Sequence, residues 1–318
     1  MSSRVQRIAG YTLAVFGLIW VLHDINLAEL YANLRIHDWW WAAAAVAADA
    51  LAFLAQGWRW SLLLSPIGQL SSLRATQAIY AGLFTNEVLP LHVGELVRAY
   101  LVSRWLKVRF LAALPSIAVE RLLDGVWLAL AIAFVAFFVP LPRSIENGAD
   151  VFGLLVILCV AGFAYLVYRK SAGPDRGRFR FLTPLAIHFR NIAGSRKLGR
   201  AFWISLPMIG LQAVSFWMVM PAFGLNLSLP AGVAVFLIVH IGTALPNAPG
   251  NIGSYQFFTV VGLTLFGVDK LTAAGFSFVV FILLTVPLWI IGFFALSRTG
   301  LSLRQLEEEV RQLQARRT

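Results

Sequence analysis

Charged residues set one helical turn apart inside apolar sequence are the parts of this chain that could do chemistry. The first group lies in Thr85–Tyr100, TNEVLPLHVGELVRAY, which holds Glu87, Glu95 and Arg98. The second is Glu120-Arg121-x-x-Asp124, in an apolar run over residues 112–139. A third stretch, Thr243–Gln256, reads TALPNAPGNIGSYQ. It has no charge but gathers Pro246, Asn247, Pro249, Gly250, Asn251, Gly253 and Gln256. Glu95/Arg98 and Arg121/Asp124 each have i,i+3 spacing, so each pair can share a helical face. An arginine fork matches a phosphate in a bidentate way. The acids Glu87, Glu95, Glu120 and Asp124 outnumber Arg98 and Arg121, and intramembrane acids must pair, face a cavity or take up protons. His92 reads as a proton-sensitive group or as a hydrogen-bonded structural histidine. The sequence has no P-loop, HExxH or Cys/His metal spacing, and Ser254 has no clear base beside it. No catalytic residue, metal or cofactor is therefore expected.

The elements that must position these residues show a repeat. Leu89-Pro90-x-x-x-Gly94 matches Leu245-Pro246-x-x-x-Gly250 about half a chain later. Proline removes a helical N–H and glycine permits a sharp reversal, so neither copy is a plain spanning helix. In lipid, freed backbone groups are tolerated only where they are buried in protein or line a watery cavity. Interrupted segments at matching places in two halves point to a transporter's midplane site. Apolar runs over 9–25, 39–64, 112–139, 151–168, 201–223 and 271–296 are long enough to span. Residues 24–38 read as a polar loop, and the broken elements occupy 75–105 and 230–267. The expected fold is an all-α polytopic membrane protein with six spanning helices. Two re-entrant broken-helix hairpins complete an inverted four-plus-four repeat, with 1–139 and 151–298 as its halves.

Composition agrees, since 59% of residues are hydrophobic and 13% charged, which no soluble core could bury. The net charge of +11 reports orientation and anionic lipid before nucleic acid. Cys159 is the single cysteine, so no disulfide forms within the chain. With both breaks read as hairpins, Arg4, Arg7, Arg74, Arg104, Lys107, Arg109, the basic linker 169–200 and the tail 299–318 fall on one side. Arg35, Arg143 and Lys270 fall on the other. The positive-inside rule then places both termini in the cytoplasm, in an inner or plasma membrane. In the tail, Ser302-x-x-Gln305 is a capping box ahead of a Leu303/Leu306/Val310/Leu313 stripe, an amphipathic helix. Arg178-Phe179-Arg180-Phe181 reads as a strap for anionic lipid.

The successive motifs Gly94-Glu95-x-x-Arg98, Glu120-Arg121-x-x-Asp124 and Pro246-x-x-Pro249-Gly250-x-x-Gly253 resemble those of the lysylphosphatidylglycerol synthase transmembrane family. This is the flippase-like membrane domain also found in multiple peptide resistance factor proteins. Many relatives carry a glutamate soon after the last glycine, where this chain has Gln256. Only the short tail follows the last span, so aminoacyl-lipid synthesis is not expected. The resemblance implies lipid handling, with translocation of an anionic phospholipid or isoprenoid-linked lipid as the expected activity.

Half-helix N-termini at the two breaks would favour an anion, and Arg98 and Arg121 add fixed positive charge. Other readings stand beside this one. A membrane enzyme acting on a lipid-linked phosphate or sugar would use Glu95, Glu120 or His92 as acid–base groups. An accessory partner of a lipid-modifying enzyme is a third, and a second copy of the chain is the other protein partner considered. The charges could also be a static scaffold, and Arg98 could snorkel to the interface. Arg59, between Trp58 and Trp60, reads most simply as an interfacial anchor, with contact to a lipid headgroup as the other reading. Asn247 and Asn251 can cap half-helices without any ligand. Gly94 and Gly250 should not accept alanine, whereas Gly153 and Gly292, in ordinary spans, should.

Overall fold

The computed structural model describes residues 3–88, 93–139, 143–168, 183–244 and 248–300, and all regular structure among them is helical. Leu89, Pro90, His92, Leu245, Pro246, Asn247, the Arg178–Phe181 strap and the tail helix lie outside the described residues. The helices are α1 (Ser3–Leu22), α2 (Leu27–Asn33), α3 (Trp39–Leu64), α4 (Ser72–Val88), α5 (Gly94–Leu106) and α6 (Phe110–Phe138). They continue as α7 (Arg143–Tyr168), α8 (Thr183–Ala193), α9 (Arg196–Phe223), α10 (Leu229–Thr243), α11 (Ser254–Thr264) and α12 (Lys270–Ser297). A 3-10 turn at Pro249–Asn251 precedes α11.

Local chemistry sets the starts. Asp38 Oδ1 accepts from Trp40 N at 2.8 Å and opens α3. Ser228 and Pro230 open α10, and Asp269 Oδ1 accepts from Thr272 N at 2.9 Å to open α12. Each is a polar N-cap ahead of an apolar run. The Asp269 carboxylate is held below the usual aspartate range by these backbone N–H groups.

Five helices are long and apolar enough to cross a membrane: α3, α6, the Asn147–Val167 part of α7, α9 and α12. A sixth is available if α1 and α2, bent 89° to each other, form one broken span. In Asn147–Val167 none of the most apolar window is buried, and Val151, Leu154, Leu155, Ile157 and Leu158 are exposed. A surface of that size and character belongs in lipid. The chain is a multi-pass membrane protein. Two segments differ from the sequence expectation. The loop over 24–38 contains α2, started by Asn26 capping Ala28 N at 3.0 Å, with Leu30 as its buried anchor. The basic linker contains α8; a basic stretch can be helical when one stripe is apolar.

Both broken elements double back. In the second, Gly242 faces Phe258 and Gly262 faces Val235, so α10 and α11 run antiparallel in contact. In the first, the chain returns so that the Cα of Gly94 lies against the Gly82 carbonyl and Asn86. At the far end the Leu106 side chain comes back to Gly68.

The chain divides into two units. Unit 1 takes Met1–Leu51, Tyr80–Gly94 and Gly210–Thr318. Its core is built from Val21, Phe216, Met220, Val235, Leu263 and Phe276 with their neighbours, and Phe276 stacks edge-on with both Phe216 and Phe223. Unit 2 takes Ala52–Ile79 and Glu95–Ile209, with α6, α7 and α8 packed on one another. Within it, Trp127 lies on Phe202 at 4.9 Å and donates to the Phe202 carbonyl.

Candidate functional site

In unit 2 a network of charge is assembled from three helices, and its centre is Glu120 of α6, with no exposed surface. Glu120 Oε1 accepts from Arg59 Nη2 at 3.1 Å and from Gln56 Nε2 at 2.9 Å. Its Oε2 accepts from Arg98 Nη2 at 2.5 Å. Gln56 and Arg59 come from α3, and Arg98 comes from α5. The Arg98 guanidinium lies over the Trp60 ring, 4.4 Å from its centroid, and Trp60 is anchored by donating to Ser116 Oγ at 3.1 Å. A guanidinium on an indole face gains cation–π energy while it is desolvated.

From this centre the network runs outward. Arg59 Nη1 donates to Asp124 Oδ1 and to Ser205 Oγ, at 2.5 and 2.9 Å. Asp124 Oδ2 accepts from Arg121 Nη1 at 3.4 Å, and Arg121 Nε donates to Glu95 Oε1 at 2.8 Å. Exposure grades along it, from 0% at the Arg59 and Glu120 side chains to 40% at Glu95 and 51% at Arg121. One end is enclosed and the other is open at the surface of the protein. Three arginines and three carboxylates make the network neutral, while the Nε donors of Arg59 and Arg98 are buried and unspent. The other members share a stripe on each helix, Gln56/Arg59 at i,i+3, Glu95/Arg98 at i,i+3 and Glu120/Asp124 at i,i+4, while Arg121, next to Glu120 in sequence, is half-exposed.

Three sequence readings are corrected here. Arg59 is not an interfacial anchor. It is wholly buried, and the tryptophans beside it diverge, with Trp60 buried and Trp58 exposed. Arg98 does not snorkel; it is 4% exposed. Glu95 and Arg98 do not pair with each other, because Arg98 reaches the deeper Glu120 and leaves Glu95 to Arg121. The excess of acid disappears from this group once Arg59 is counted and Glu87, which lies in unit 1, is set apart.

Unit 1 holds the two breaks. Asn86 Oδ1 accepts from Gly94 N at 2.6 Å, closing the gap from the end of α4 to the start of α5. In the second break, Gly250, Asn251 and Gly253 have positive φ, at 74°, 52° and 90°, on either side of an extended Ile252, and L side chains resist such values. Gly253 also meets the backbone of Ala14 on α1, which leaves no room for a Cβ. Gln256, 1% exposed, turns its Oε1 back to accept from Gly253 N at 2.7 Å, the N3 half of a capping box. Gln256 therefore does structural work at the second break. Gly250 lies against the Glu87 carboxylate, with room for a Cβ only 3.1 Å from Oε2, so the two breaks meet inside unit 1. Gly292 is a correction as well. Its Cβ would fall 2.7 Å from Phe84 Cβ and from the Tyr80 carbonyl, whereas Gly153 faces open space.

Of the expected site residues, Glu95, Arg98, Glu120, Arg121 and Asp124 come together in unit 2. Gly94, Gly250, Asn251, Gly253 and Gln256 line the breaks in unit 1. Pro246 and Asn247 are outside the described residues, and of Pro249 only the backbone is described. Gln56, Trp60 and Ser205 were not among the expected site residues, and Arg59 was read chiefly as an anchor. Polar residues at i,i+3 inside a span were the available signal for Gln56 and Arg59.

A family model described as the lysylphosphatidylglycerol synthase TM region matches residues 7–292. The chain is also similar to a Haloferax volcanii protein named Glycosyltransferase AglD, at 25% identity over 310 residues. That alignment takes in 82% of this chain and 49% of the relative, so the chain spans about half the relative's length.

Proposed function

Because the chain belongs to the lysylphosphatidylglycerol synthase TM family, we propose that it handles membrane lipids and moves an anionic or lipid-linked phosphate headgroup across the bilayer. The observation that carries this reading is the neutral, graded arginine–carboxylate network of unit 2. An exposed ion pair, Arg121–Glu95, leads to two dry guanidiniums with unspent Nε donors. A phosphate arriving at Arg121 takes the place of the Glu95 carboxylate, so one anion replaces another and no net charge is added to the interior. Arginine forks then offer the headgroup donors that water offered outside. The fold half of the proposal is an inverted repeat of 1–139 and 151–298, with each broken element a re-entrant hairpin and both termini cytoplasmic. The doubling back of both elements and the meeting of Glu87 with Gly250 support it.

The name of the Haloferax relative favours a second reading, in which the chain serves as the membrane partner of an enzyme acting on a lipid-linked sugar. One experiment separates the two. Purified protein is placed in liposomes with a panel of labelled phospholipids and isoprenoid phosphates, and the outer-leaflet fraction and headgroup mass are followed together. Faster crossing with unchanged mass supports translocation. An altered headgroup, or no faster crossing for any member of the panel, counts against it.

A further inference from the structure

The arginine–carboxylate network of unit 2 holds its three acids unequally. Glu120 has no exposed surface and accepts from Arg59, Arg98 and Gln56. Asp124 is shared between Arg59 and Arg121, one on each oxygen. Glu95 has one partner among the described residues, Arg121, through a single contact from Nε to Oε1 at 2.8 Å, and its side chain is 40% exposed. Releasing Glu120 would strand two buried guanidiniums, and releasing Asp124 would leave Arg59 with Glu120 alone. Losing one member of a buried pair is costly, whereas a half-exposed pair opens cheaply. Glu95 is therefore the acid that can leave, and it takes one negative charge with it.

The arginine it leaves is suited to a phosphate. Arg121 spends Nε on Glu95 and Nη1 on Asp124 at 3.4 Å, and Nη2 makes no hydrogen bond among the described residues. Nε and Nη2 lie along one edge of the guanidinium, the two-donor fork that a phosphate takes with two oxygens. Glu95 uses half of that fork. The other arginines are already balanced, Arg59 by Glu120 and Asp124, and Arg98 by Glu120. Residues 89–92, just ahead of α5, contain no lysine, arginine or acid. One negative charge arriving as one departs leaves the network neutral. A second one finds no carboxylate that it can displace without uncovering a buried arginine.

We propose that Glu95 is an internal competitor that makes this site select a lipid phosphodiester, which carries one negative charge, over a lipid phosphomonoester or pyrophosphate. The inference rests on the lipid-headgroup reading of the network given above. A displaced Glu95 stays tethered in the first turn of α5, close to the headgroup that replaced it. Its carboxylate repels that headgroup, and the repulsion grows with the headgroup's charge. A phosphodiester meets it with one charge, and a pyrophosphate with at least two.

Binding to the purified protein in a neutral detergent tests this with two lipids that share one tail. Dioctanoyl phosphatidylmethanol has a phosphodiester with a single negative charge, and dioctanoylglycerol pyrophosphate has at least two at neutral pH. The wild type should bind the phosphodiester more tightly, and that comparison does not depend on any variant folding. Glu95→Gln keeps the shape of the side chain and removes its charge. It should tighten the phosphodiester about fivefold and the pyrophosphate about 25-fold, so the gap between them narrows. Glu29→Gln, on α2 of unit 1 and exposed, should change neither. A wild type that prefers the pyrophosphate overturns the inference and leaves the lipid reading standing. A gap that Glu95→Gln leaves unchanged, or that Glu29→Gln narrows equally, does the same. A wild type that binds neither lipid removes both the inference and the reading beneath it.

Discussion

At the scale of single residues, burial decides what each charge is worth. Arg59→Ala removes the shared partner of Glu120 and Asp124 from a site with no exposure. It should destabilise the protein by about 3–5 kcal/mol, as expected when one member of a buried ion pair is lost. Arg121→Ala acts on a half-exposed pair and should cost no more than about 1 kcal/mol. Unfolding in detergent with mixed denaturants would measure both, and equal costs would mean that the network is not graded as described. Gln256 offers a sharper contrast. Gln256→Glu keeps the acceptor for Gly253 N and should be nearly neutral, whereas Gln256→Ala should cost about 1 kcal/mol. The acids and arginines of α5 and α6 were legible in the sequence because charge in an apolar run has few innocent explanations. Arg59 was misread because flanking tryptophans are also the mark of an interface. Neighbours in sequence point to different faces of a helix, and the sequence did not say that Trp60 faces inward with Arg59.

At the scale of elements, spans with a polar cap and an apolar body were legible to the residue, as at Trp39. The capping side chain fixes the start there, and hydropathy fixes the length. The short helices α2 and α8 were not, since neither is apolar enough nor long enough to stand out from loop. The breaks were legible from proline and glycine, but their closure was not. It depends on contacts such as Gly253 against Ala14, and those are set by tertiary packing. Gly94→Ala should lower the melting temperature clearly, because its Cβ would meet the Gly82 carbonyl and Asn86 Oδ1. Gly153→Ala, facing open space, should change it little. Gly292→Ala should resemble Gly94→Ala, so Gly292 cannot serve as a neutral control. The cap of α12 gives a pH dependence whose sign is fixed. The folded state depresses the Asp269 pKa from its ordinary value of 3.8. The stabilisation is therefore complete above that value and is lost as pH falls through it towards the folded pKa. Asp269→Asn keeps an N-cap acceptor and should abolish that component of acid sensitivity in thermal melts.

At the scale of the whole molecule, the multi-pass, all-helical architecture was legible from composition and hydropathy, and the family from three motifs in order. The side of the membrane is a separate claim that rests on charge counting. On a Cys159→Ser background, a cysteine at Asn147 should label from outside and one at Lys197 only from inside; the reverse pattern would invert the orientation. The central claim is that the arginine network of unit 2 handles the headgroup and is not merely a scaffold. Arg98→Met combined with Glu120→Leu tests it most directly. This pair removes one positive and one negative charge together, and Arg59 keeps Asp124 and Ser205 as partners, so no buried charge is stranded. Lipid crossing in liposomes is measured for this double variant alongside its melting temperature. The account predicts a folded protein with near-wild-type stability whose lipid crossing falls to the rate of empty liposomes. A stable double variant that still moves lipid at the wild-type rate would contradict it.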